Sequence, residues 1–108
     1  MIVAALFLTV ALAAEPEPPP RTELCLAHMD AMIAEAQRET GMVAGPSWFI
    51  RSWWAARLPE VGMPATWSEE QRRALGVSMP ERKAADPDGY RAELQACVAE
   101  AIDGGALP

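Results

Sequence analysis

The stretch ELCLAHMDAM, Glu23 to Met32, gathers one of the chain's two cysteines, its only histidine and two of its six methionines. A thiol, an imidazole and two thioethers this close together are raw material for metal or redox chemistry. Each such chemistry demands a particular spacing. Attachment of a c-type haem needs C-x-x-C-H, and Cys25-Leu26-Ala27-His28 lacks the second thiol. A zinc site needs about four N, S or O ligands in recognisable pairs, of which Cys25 and His28 supply half a set. Copper(I) is the sharper candidate. Soft thioethers and imidazole suit it, and on a helix His28 lies one turn from Met32, as Met29 does. Against this stands the ordinary use of methionine as gap-filling core material. Met29 and Met32 share an apolar stripe with Ile33, so they are expected in the core with His28 at its edge, and no cofactor is expected.

Hydrolytic chemistry finds no better footing. There is no G-x-S-x-G elbow and no H-E-x-x-H pair. Glu35 and Glu39 have helical i, i+4 spacing and could in principle share acid and base roles, but a solvated helix face explains them equally well. The expectation is a protein without enzymatic activity.

The aromatic residues are the second cluster. Trp48, Phe49, Trp53, Trp54 and Trp67 include all four tryptophans of the chain, and Arg51 and Arg57 are interleaved with them. Trp beside Arg is the composition of interface hot spots, which makes Trp48, Arg51, Trp53, Trp54, Arg57 and Trp67 candidate partner-binding residues. The alternative is a core in which large rings fill the space left by small alanine faces. From sequence both readings stay open.

The elements that position these residues are all helical. From Thr22 to Thr40 the apolar residues Cys25, Met29, Met32, Ile33 and Ala36 recur at steps of three and four, with Glu23, Asp30, Gln37 and Arg38 on a solvated face. Thr22 offers a start and Gly41 a stop. GPSWFIRSWWAARLPE predicts a helix of about 11 residues between Ser47 and Pro59. Its inward stripe would be Phe49, Ile50, Trp53, Ala56 and Leu58. PEVGMPATW reads as an irregular loop. After it, Thr66 or Ser68 with Glu69 or Gln71 has capping-box spacing for a short helix ending near Gly76, and SMPERKAAD predicts a single turn at most. In DPDGYRAELQACVAEAIDGG, Asp86 caps, Pro87 opens the helix and Gly104 closes it, with Tyr90, Leu94, Cys97, Val98 and Ala101 on the apolar face. No strand-like alternation and no fixed repeat occur. The predicted fold is all-α, a small bundle of three to four helices.

The opening MIVAALFLTVALAA, followed at once by EPEPPP, has the layout of a secretory signal peptide over residues 1–14, with cleavage after Ala13 or Ala14. About 13 apolar residues rise only about 20 Å as helix, short of the roughly 30 Å hydrocarbon core, so stable membrane insertion after cleavage is not expected. Residues 15–21 form a stiff proline-rich leader, and 22–108 a single helical domain.

Export gives the cysteines their meaning, because oxidising compartments convert paired thiols to disulfides. Cys25 lies early in the first long helix and Cys97 late in the last, so a bond between them requires those helices to pack antiparallel. Closing a loop this long is worth on the order of 4 kcal/mol. With 15 acidic and 9 basic residues the net charge is −6, which repels phosphate backbones and disfavours nucleic acid as a partner.

The combined expectation is a periplasmic or secreted helical protein of the cell envelope, a protein-interaction module for a protein or apolar partner. Two alternatives in the same compartment are an acid- or stress-responsive holdase-type chaperone and a copper-handling protein using His28, Met29 and Met32.

Overall fold

The computed structural model describes residues 18–58 and 67–108. The expected signal peptide, the first residues of the leader and most of the loop after Leu58 lie outside them. The described residues form four helices and no strand: α1 (Arg21–Thr40), α2 (Gly45–Ala55), α3 (Glu69–Ala85) and α4 (Pro87–Asp103).

α1 and α4 form the axis of the bundle. Cys25 and Cys97 are bonded, with 5.4 Å between their Cα atoms. On one side of that bond Arg21 pairs with Glu100, and on the other His28 meets Glu93. Partners therefore descend along α4 as they ascend along α1, and the two helices run antiparallel. α2 and α3 flank this pair. Each touches both α1 and α4, and they do not touch one another.

α2 is seated by apolar burial. Ile50 and Trp54, one turn apart, enter a cluster with Cys25, Leu26, Met29, Cys97 and Ala101. The Trp54 indole N–H donates to the Cys97 carbonyl at 3.1 Å, so the ring is buried without an orphaned donor. Trp53 lies against the end of α4 and donates to the Gly104 carbonyl at 3.3 Å. A Cβ at Gly104 would sit 2.3 Å from the Trp53 ring, so glycine is required there by close approach. Gly105 follows at φ +94°, and the Gly105 and Ala106 amides return to the carbonyls of Ile102 and Ala101, a Schellman ending that folds Ala106 back onto the core.

α3 is seated differently. Ser68 and Gln71 complete the capping box at its start. The helix then runs unbroken for 17 residues, where a short helix and a single turn were expected. Pro80 lacks the N–H that would bond the Gly76 carbonyl, a defect that ordinarily ends or kinks a helix. Leu75 and Met79, one turn apart and both buried, hold the helix against the bundle through the turn that leads into Pro80.

At the far end one residue turns the corner. Asp86 donates its backbone N–H to Arg82 of α3 and accepts the Gly89 amide on its carboxylate as the cap of α4. Pro87 opens α4 with its φ already set.

Two starting points also differ from expectation. α1 begins at Arg21, its first turn closed by the Pro20 carbonyl accepting from the Leu24 amide and not by a Thr22 side chain. α2 begins at Gly45, with Pro46 in its first turn, and its buried face is Ile50 and Trp54, while Phe49 and Ala56, expected inward, face water.

Candidate functional site

The chemistry-bearing residues of α1 resolve into core. Cys25 and Met29 are completely buried in the main cluster, and Met32 packs against it. His28 is also completely buried, deeper than its place at the edge of the stripe suggests. Its Nε2 lies 2.6 Å from a Glu93 carboxylate oxygen, and the Tyr90 ring packs on it with centroids 4.5 Å apart. His28 Nδ1 has no partner. With Nε2 carrying the hydrogen toward Glu93, Nδ1 is left as a bare acceptor, which is cheaper to bury than an unpaired donor. Among the described residues no group of three or more His, Cys, Asp or Glu is arranged to hold a metal ion.

Glu23 overturns the expectation of a solvated α1 face. Its side chain is only 5% exposed, and Arg72 of α3 grips both carboxylate oxygens through Nε and Nη2 at 2.9 to 3.1 Å. The carboxylate in turn holds the Arg72 guanidinium protonated above its ordinary range. Neither residue stood out in sequence. The signal was Arg72 at the start of a helix with Leu75 beside it, legible only once the two helices are known to run side by side. Farther along the same seam Lys83 meets Glu35 at 3.2 Å, and on the α4 side of α3 Arg82 approaches Glu93 at 3.6 Å.

The aromatic candidates divide sharply. Trp54 is core, at 2% exposure. Trp53 is half-buried, its ring edge-on to Trp54 and covered by the Arg57 guanidinium at 3.2 Å from the ring centroid. Arg57 also donates to the Trp53 carbonyl, and Arg51 reaches across to Asp30 of α1. Trp67 is partly buried just before α3. Trp48 and Phe49 project outward with 46% and 49% of their surface in water, beside Met42 in the α1–α2 turn at 76%.

The outer face of α2 thus carries Gly45, Trp48, Phe49, Ser52 and, at its C-cap, Ala56, all exposed. It carries no charge, because both arginines of the segment are folded back onto the protein. From Thr40 to Pro59 the sequence contains no acidic residue, in a chain that has 15. Phe49 and Met42 were missed as candidates because Phe49 was assigned to the inward stripe.

Comparison with protein-family models, with curated proteins and with solved structures finds no match to this chain. Among the described residues no helix is long and apolar enough to cross a membrane.

Proposed function

We propose that the protein is an exported, non-enzymatic interaction module of the cell envelope, periplasmic or secreted, that binds another protein through the outer face of α2. The observation that carries this reading is the uncharged face holding Trp48 and Phe49, both about half exposed, with exposed Met42 in the turn just before it. An apolar, aromatic patch on a rigid helix offers contact area with little conformational entropy to lose on binding. Export is supported by the apolar opening segment and by a Cys25–Cys97 bond of the kind that persists in oxidising compartments.

A photo-reactive amino acid placed at position 49 in the exporting cell tests the surface. Irradiation is expected to give a discrete protein adduct from position 49 and none from the same group at Val77, which is more exposed than Phe49 but lies on α3, away from the aromatic face. No adduct at 49, or equal adducts at both positions, removes the reading. Export is checked by the mass of the recovered chain, expected to begin at Ala14 or Glu15.

A further inference from the structure

The outer face of α2 is self-complementary, and this names a partner. Gly45, Phe49, Ser52 and Ala56 follow one another at steps of four, three and four residues, the spacing of a helix–helix contact seam. Along this seam a large ring is placed between small residues, with Trp48 standing beside it. If a second α2 is laid antiparallel on the first, with a twofold axis between Phe49 and Ser52, each Phe49 ring falls over the partner's Ser52. Gly45 then falls over the partner's Ala56. The two central layers set a large ring against a small side chain, and the two outer layers set small residues together, so the same surface meets itself across the twofold axis. We infer that the partner of this face is a second copy of the same chain, joined through antiparallel α2 helices. The inference rests on the reading of α2 as a binding surface.

Charge and area point the same way. Each copy carries a net charge of −6, so most approaches of two copies are repelled. The α2 seam lessens this, because its own residues are uncharged and the two arginines beside it are drawn aside, Arg51 to Asp30 and Arg57 onto Trp53. The uncovered halves of Trp48 and Phe49 offer roughly 100 Å² each, and with Met42 and the small residues the face comes to roughly 500 Å². Two copies would bury about 1,000 Å², the lower edge of a specific interface. The association is therefore a weak, reversible dimer and not a permanent one.

Sedimentation velocity on the folded, oxidised chain tests this directly. The chain is expected to be monomeric near ~5 µM and mainly dimeric near ~500 µM. Screening of the like charges on the two copies should tighten the dimer as salt rises from ~50 to ~500 mM. The double variant Trp48→Glu, Phe49→Glu alters only exposed positions and should weaken association at least tenfold. As a second measure, Ser52→Cys places a thiol beside the twofold axis while Cys25 and Cys97 stay bonded and buried. A short bismaleimide should link two such chains, and Val77→Cys on α3 should not link.

A wild-type chain still monomeric at the highest concentration overturns the inference. So does a dimer indifferent to the two glutamates, or linking at Val77 equal to that at Ser52. These outcomes separate from failure of the surface itself. A monomeric chain whose position 49 captures a different protein keeps the binding face and loses the second copy, whereas an adduct of twice the chain mass supports both.

Discussion

The two flanks of the α1–α4 pair are built on opposite principles. α2 is held by Ile50, Trp54 and Trp53, with two indole N–H groups delivered to backbone carbonyls of the α4 region. α3 is held by Leu75 and Met79 together with a row of charged pairs, Glu23 with Arg72, Glu93 with Arg82 and Glu35 with Lys83. The first flank draws mainly on area removed from water, with one exposed pair, Arg51 with Asp30, and depends only weakly on pH and salt. The second draws partly on charges and changes with both. The difference divides the surface chemistry as well: the α2 flank presents exposed aromatic rings, and the α3 flank presents a row of charged pairs.

The largest way to break the contrast is Trp54→Ala. It removes the ring at the centre of the α2 flank and leaves the Cys97 carbonyl without its donor, and it is expected to cost about 4 kcal/mol in urea unfolding followed by circular dichroism. A loss below about 1 kcal/mol would mean that α2 is only loosely attached.

On the other flank the same logic gives an asymmetric result. Arg72→Leu strands the Glu23 carboxylate in a site where it is 5% exposed, and is expected to cost about 3 kcal/mol. Glu23→Leu leaves Arg72, whose side chain is 31% exposed and can turn to water, so about 1 kcal/mol is expected. The double variant should recover most of the loss, since two apolar side chains can replace a buried pair. Equal effects of the two single changes would show that Glu23 is not sealed in.

The smallest effect sharpens the picture at the far end of the α3 flank. Tyr90 is the only tyrosine, so tyrosinate absorbance near 295 nm reports it alone. Burial pushes its phenol above the ordinary value, Glu35 and Glu93 push the same way, and Lys83 and Arg82 oppose them. The folded chain holds this proton more tightly than the unfolded one. The associated stability is therefore present below about pH 10 and is lost as pH rises through the folded value. Titration is expected to centre above the ordinary phenol range, and Lys83→Met should raise it further. A midpoint at or below that range would place Tyr90 in open water.

Where local chemistry decides structure, the residues announce it. The Ser68–Gln71 capping box, the Asp86-Pro87 start and the left-handed Gly41 stop are each satisfied within a few residues of themselves, and the two cysteines fix the antiparallel axis because only one pairing exists. Where a distant partner decides, they do not. Glu23 looks like a solvated residue until Arg72, 49 positions away, is brought beside it. His28 is drawn inward by Glu93, 65 positions away. Pro80 reads as a helix stop because its local penalty is visible and the burial of Met79 that offsets it is not. On α2 the packing partners decide which rings face water: Ile50 and Trp54 enter the cluster with Cys25, Met29 and Cys97, contacts that no local pattern displays, and Trp48 and Phe49 are left outside.

The bond between Cys25 and Cys97 also fixes the covalent topology of the chain. α2, α3 and everything between them lie inside a closed loop spanning 72 positions. A protease that cuts once within that loop opens the backbone but separates nothing, and the molecule gains only the mass of one water. Two such pieces stay tethered at the centre of the bundle and come apart only when a reductant reaches a disulfide whose residues are both wholly buried. The chain can therefore be nicked on either flank and remain one molecule.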